Sequence, residues 1–143
     1  MKLQTRWTLI AASAFLLDRL LKHLALSGAH AGGDNGLLRF ALFRNDGIAF
    51  SLPFSGPLVW LLSIGILAFI GRLAYKDFRT KHYKRAEAYL FFVLGACSNL
   101  FDRIVYGFTV DYAIFFRLSA VNIADAMIIA GAAWLVLKAP GKK

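Results

Sequence analysis

The sequence predicts an all-α membrane protein: four transmembrane helices with a small extracytoplasmic β-strand or hairpin element, in one integral membrane domain over residues 1–143. Three observations carry this. The chain is 59% hydrophobic with a mean hydropathy of +0.59, its apolar residues fall into long runs close to bilayer-crossing length, and its basic residues collect in short segments between those runs. That distribution assigns the net charge of +9 to membrane topology and argues against a nucleic-acid partner.

The amino terminus resembles a secretory signal peptide at first, with Lys2 and Arg6 ahead of an apolar run and small residues at Ala11, Ala12, Ser13 and Ala14. Apolar character resumes after Asp18-Arg19 through Leu20, Leu21, Leu24, Ala25 and Leu26, which predicts an uncleaved first span over residues 7–27. Asp18 and Lys22 stand four apart with the acid first, so they share a helix face. They can pair there, or they can form a helix-end pair in which Lys22 snorkels outward.

Residues 28–36, GAHAGGDNG, lack both a preceding strand and the Gly-Lys-Ser/Thr ending of a phosphate loop, and read as a flexible connection. Beyond them Leu38, Phe40 and Leu42 alternate with Arg39 and Ala41. This period of two predicts a short extended segment at the membrane surface over residues 37–44, within a strand-like region reaching about residue 50. Asn45-Asp46-Gly47 is a turn signal: an ordinary hairpin turn, or a turn that presents the Asn45 amide to a site.

A second span follows at residues 58–75, with Pro53 and Pro57 ahead of it and Arg72 near enough to its far end to snorkel. Next comes the basic loop KDFRTKHYKR, then a third span over residues 86–104 and a fourth over residues 121–137, closed by Lys138 and the tail PGKK. Of the 17 lysines and arginines, only Arg39, Arg44 and Arg117 lie in the loops opposite the basic one. The positive-inside rule therefore puts both termini and the basic loop in the cytoplasm, and residues 37–50 and 106–120 outside. Cys97, alone and mid-run, is read as packing with no disulfide, and His23, His30 and His82 lack ligand spacing, so neither a metal nor a cofactor is expected.

Residues 95–129 hold the polar groups that most need explanation, because each charge at a bilayer centre costs about 2.5–3.5 kcal/mol on insertion scales. Asn99, Asp102 and Arg103 occur at i, i+3 and i+4 near the outer end of the third span. Asn122 and Asp125 stand three apart at the start of the fourth, where Ile128 and Ile129 continue the face inward, and Asp111 lies between the two helices just beyond Gly107. Two carboxylates held close in a low dielectric share a proton, so Asp111 and Asp125 together could activate a water and protonate a leaving amine. Asp102 beside Arg103 is placed to form a supporting ion pair. Two other readings stay open: interhelical hydrogen bonds of roughly 0.6–2 kcal/mol each, or the proton relay of a small proton-coupled carrier or channel.

Four blocks then resemble a known family in their order along the chain. They are DRLLK (Asp18, Lys22), NDGIAFS (Asn45, Gly47, Ala49, Phe50), SNLFDRIVYGFTVDY (Asn99, Asp102, Arg103, Gly107, Asp111) and VNIADAMI (Asn122, Ala124, Asp125). Together they resemble the lipoprotein signal peptidases, or signal peptidase II. The resemblance implies a four-helix enzyme of the bacterial cytoplasmic membrane with Asp111 and Asp125 as its catalytic dyad. It would cleave the signal peptide from diacylglyceryl-modified prolipoproteins just before the lipidated cysteine. Asn45, Asn99, Arg103 and Asn122 would line the site, Asp18, Lys22 and Asp102 would support it, and residues 37–44 would join a small sheet that cradles substrate. Implied partners are the lipidated prolipoprotein and membrane lipids, with the chain acting as a monomer; a noncatalytic relative that only holds lipopeptides is the neighbouring alternative. Ser98 stands where the family usually has Gly and Val121 where it usually has Phe, and the stretches after Asp111 and after NDGIAFS are shorter than is common.

Overall fold

In the computed structural model, which describes residues 3–32, 37–47, 57–81, 85–116 and 118–137, seven elements follow one another. They are α1 (Leu3–Leu26), β1 (Leu38–Asn45), α2 (Pro57–Arg79), α3 (Ala86–Tyr106), β2 (Thr109–Phe115), β3 (Ser119–Val121) and α4 (Ile123–Leu137). Ala49, Phe50, Pro53, His82, Arg117, Lys138, the PGKK tail and residues 33–36 of the glycine-rich connection lie outside the described residues.

Among the described residues, α2 and α3 are long and apolar enough to cross a membrane. Helix α1 has 24 residues but carries Asp18, Arg19 and Lys22 in its second half. The 15 described residues of α4 rise about 22 Å of the roughly 30 Å hydrocarbon core. The structure corrects the expected start of the fourth span at residue 121. Val121 belongs to β3, and Asn122 is the cap: its Oδ1 accepts from Asp125 N at 2.9 Å while Asp125 Oδ2 accepts from Asn122 N at 3.2 Å. That reciprocal pair satisfies two N–H groups that a helix start leaves open, so the chain becomes helical only at Ile123.

The expected single strand is one of three. β1, β2 and β3 form an antiparallel sheet in that order, with Asn45 opposite Thr109, Phe43 opposite Asp111 and Ala113 opposite Val121. The partner of β1 is thus a distant strand, and Asn45-Asp46-Gly47 does not turn the chain into that partner. Its described geometry is an Asx bond, Gly47 N donating to Asn45 Oδ1 at 3.1 Å. The connection before β1 is also less free than its composition predicts: Ala31 and Phe40 exchange backbone hydrogen bonds at 2.9 and 2.8 Å.

Two glycine features place the site. Gly107, at φ 84°, closes α3 by donating its N–H to Arg103 O, and the chain then enters β2 at once, so Asp111 lands beside the end of α3. Gly95 and Gly131 let α3 and α4 touch: a Cβ at Gly95 would lie 2.5 Å from Ala124 O, and one at Gly131 would lie 2.6 Å from Phe92 N. Small residues bring helix backbones together in this way, which sets Asn99 against Asp125.

Polarity runs opposite to that of a water-soluble fold. Leu16, Leu61, Phe69, Ile104, Ile129 and Val136 are exposed, whereas Asp18, Lys22, Asp102 and Asp111 are 0% exposed. Such an exterior suits lipid. Cys97, expected to pack inside, is exposed on α3; its neighbours Ser98 and Asn99 take the inward face instead.

Candidate active site

Helix α1 delivers Asp18, Arg19 and Lys22 to the buried face of α3. Lys22 Nζ lies 3.1 Å from Asp18 Oδ2 and 2.7 Å from Asp102 Oδ2, and also donates to Asn99 Oδ1 at 2.8 Å and Ser98 Oγ at 3.3 Å. Arg19 closes the other side of Asp102 through its Nη1, and Val110 N donates to Asp102 Oδ2. Asp18 in turn accepts from Ser98 Oγ (2.6 Å), Tyr112 OH (3.1 Å) and Ala124 N (3.1 Å). Its carboxylate therefore sits at the amino-terminal end of α4, where the helix dipole favours an anion.

Of the two readings open for Asp18 and Lys22, the structure shows the pair, and Lys22 does not snorkel outward: it is fully enclosed by four polar partners. The expected pairing of Asp102 with Arg103 is corrected, because residues i and i+1 of a helix do not face each other. Asp102 turns toward α1, while Arg103 Nη2 donates to Gly47 O at 3.3 Å.

From Lys22 the network passes to the two aspartates. An ammonium only donates, so Asn99 must present its oxygen to Lys22 and its amide NH2 to Asp125 Oδ1, at 2.8 Å. Asn122 then joins the pair: its Nδ2 donates to Asp111 Oδ1 at 2.6 Å, while its backbone N–H serves Asp125 Oδ2. Asp111 Oδ2 accepts from Asn45 Nδ2 at 2.9 Å, and the Asx bond to Gly47 fixes that amide. Each carboxylate thus receives two N–H donors, all from neutral groups.

Burial, with a further push from the charge of Asp125, raises the Asp111 carboxyl from 3.8 to about 7 against the opposing Asn45 and Asn122 hydrogen bonds and the Lys22 charge. Burial, then the Asp18 charge, also raises the Tyr112 hydroxyl, which keeps it a donor.

A cavity of about 310 Å³ opens against this network. Its polar wall contains Asn45, Asn99, Arg103, Thr109 and Asp125, and its apolar wall is built from Leu62 and Ile66 of α2, Phe92 of α3, and Ile128 and Ile129 of α4. Asp111 is fully buried behind the wall and does not line it. The structure therefore gathers Asn45, Asn99, Arg103, Asp111, Asn122 and Asp125 in one place. Asp18, Lys22 and Asp102 form an adjoining cluster linked to it through Asn99. Sequence reasoning missed Arg19, Tyr112 and Thr109, and marked Ser98 only as a departure from the family pattern. The charge of Arg19 inside an apolar run was a usable signal; Tyr112 and Thr109 carry none, because a lone hydroxyl in an apolar segment does not reveal its partner.

Residues 10–139 match the family model of signal peptidase (SPase) II. The lipoprotein signal peptidases of Brucella ovis, Brucella canis and Brucella suis are each 32% identical to the chain, over 96% of it and 92% of their own length. Two solved structures, described as a bacterial membrane enzyme determined by the in meso method at 2.3 and 1.9 Å resolution, share the fold. Their TM-scores are 0.74 and 0.73, at 20% and 21% identity, over 99% of this chain and 96% and 97% of theirs. With the family model spanning nearly the whole chain and curated relatives aligned end to end, the protein belongs to the signal peptidase II family.

Proposed function

We propose that this lipoprotein signal peptidase hydrolyses diacylglyceryl-modified prolipoproteins just before the lipidated cysteine, with Asp111 and Asp125 as the catalytic pair. The observation that carries the assignment is the Asn122 bridge, which holds both carboxylates through one residue beside an apolar cavity. Asp125 lines that cavity and is the member that meets water; Asp111, enclosed and raised to about 7, carries the proton of the pair.

Asp125 takes a proton from water as the water oxygen bonds to the scissile carbonyl carbon. The Arg103 guanidinium opposes the negative charge growing on the carbonyl oxygen. When the C–N bond breaks, the pair returns a proton to the leaving nitrogen, yielding a carboxylate on the signal peptide and a free amine on the lipidated cysteine. Asn45, Asn99 and Asn122 keep the carboxylates in place, and Asp18, Lys22 and Asp102 hold α1, α3 and α4 in register behind them.

The reading extends to a four-span, single-domain monomer in the bacterial cytoplasmic membrane, with both termini and the basic loop inside and the sheet and site at the extracytoplasmic face. The charge distribution and the exposed apolar exterior support it.

Asp111→Asn and Asp125→Asn test the pair. Each should lower cleavage of a diacylated lipobox peptide by roughly the 10²–10⁴-fold of general acid–base catalysis or more, with peptide binding retained. Near-normal turnover in both variants would remove the assignment; binding without cleavage by the parent protein would make it a lipopeptide holder.

A further inference from the structure

We infer that Thr109 is a substrate-positioning residue whose hydroxyl donates a hydrogen bond to a carbonyl oxygen of the bound lipopeptide; the inference rests on the proposed substrate class. Thr109 opens β2 opposite Asn45 and two residues before Asp111. Cross-strand partners share a face, and so do residues i and i+2, so Thr109, Asn45 and Asp111 lie on one side of the sheet. Thr109 also lines the cavity with Asn45, Arg103 and Asp125.

What separates Thr109 from these neighbours is that its hydroxyl is idle. The residue is 2% exposed, and its Oγ1 has no hydrogen-bond partner among the described residues. Asn45, Asn99, Asn122, Asp111 and Asp125 are all engaged with one another. A buried hydroxyl without a partner costs stability, and valine would fill the same volume on a strand without that cost. A group arriving in the cavity that Thr109 lines supplies the missing acceptor.

A lipidated peptide offers acceptors of one kind in two places: the backbone carbonyls of the extended segment and the ester carbonyls of the diacylglyceryl group. Both would lie near this wall if the scissile bond reaches Asp125.

The test compares the full-length protein with Thr109→Val, Thr109→Ser and Thr109→Ala, measuring KM, kcat and equilibrium binding with a diacylated lipobox peptide. Val and Ala should raise KM and weaken binding by roughly 2- to 10-fold, the range of one neutral hydrogen bond, with a smaller change in kcat. Ser should stay near the parent. Substrate-free Thr109→Val should melt no lower than the parent, since it loses no internal bond. A dialkyl-ether substrate separates the two sources: a penalty that vanishes assigns the ester carbonyls, and one that persists assigns the peptide. Unchanged binding and KM in Val and Ala, or a lower melting temperature of substrate-free Thr109→Val, overturns the inference. If the parent binds the peptide but does not cut it, the proposed hydrolysis fails while the binding comparison still decides the role of Thr109.

Discussion

Two clusters of buried acids meet at Asn99. Around Lys22, the carboxylates of Asp18 and Asp102 lie 3.1 and 2.7 Å from an ammonium, and Asp102 also holds the Arg19 guanidinium. Around Asn122, Asp111 and Asp125 take their hydrogen bonds from side-chain amides and a backbone N–H instead. The ionic pairs lock α1 against α3, and Asp18 and Asp102 also accept from Ala124 N of α4 and Val110 N of β2, so this cluster serves as a frame. Neutral donors fix the second pair in space without dictating its charge, which is what general acid–base work requires. The contrast also explains why a small protein keeps so many charges in its interior: one cluster builds the frame and the other uses it.

The largest effect should come from breaking the first cluster. Lys22→Met leaves Asp18 and Asp102 without their shared ammonium and frees the Asn99 amide to flip. Removing one partner of a buried ion pair costs about 3–5 kcal/mol. Denaturant or thermal unfolding in detergent should show that loss, together with weak cleavage. By contrast, Asp125→Asn keeps an acceptor for only one of the Asn99 amide and the Asn122 backbone N–H, so it should lose activity at a stability cost of about 1–3 kcal/mol, smaller than that of Lys22→Met. If Lys22→Met unfolds like the parent, the division into frame and chemistry is wrong.

A smaller test lies at Ser98, where the family usually has Gly. Its hydroxyl donates to Asp18 Oδ2 at 2.6 Å and accepts from Lys22 Nζ and Arg19 Nη1 at 3.3 and 3.2 Å. Ser98→Gly removes those bonds and adds backbone freedom within α3, for a combined cost of about 1–2 kcal/mol. Asp18 keeps Lys22, Tyr112 and Ala124 as partners, so the loss should appear in the melting temperature while kcat stays close to the parent. A large fall in kcat would show that the frame reaches into the chemistry.

How much of this was legible in the sequence depended on what each signal encodes. Run length and charge placement gave four helices, and alternation at Leu38, Phe40 and Leu42 gave β1. β2 stayed hidden because Thr109 to Tyr112 are buried on both faces, and a strand without alternation looks like any apolar segment. Spacing put Asn99, Asp102 and Arg103 on one side of α3, but it could not say which helix each would meet. Adjacency in sequence suggested Asp102 with Arg103, whereas the tertiary partners are Arg19 and Lys22. Asn122 was legible as a polar group near a helix start. Its service as cap and bridge at once follows from Asp125 occupying the third position of α4 and β2 lying alongside.

The finest test of the contrast is pH. Because the Asp111 carboxyl is lifted from 3.8 to about 7, the folded protein binds more protons than the unfolded chain between those values. Its contribution to stability therefore falls as pH rises through that window and levels off above it. On the same group, kcat/KM should decline as pH passes about 7 and the pair loses its proton. Asn45→Ala removes a hydrogen bond that pulls Asp111 downward, so the alkaline limb should move to higher pH, by a fraction of a unit. Lys22 acts on Asp111 only as a distant charge, and no comparable shift is expected from Ser98→Gly, which touches the other cluster. A pH–rate profile for the parent and these two variants reads the difference directly: a limb that moves in Asn45→Ala alone places the titrating proton on Asp111, and a limb that stays fixed in both removes it from there.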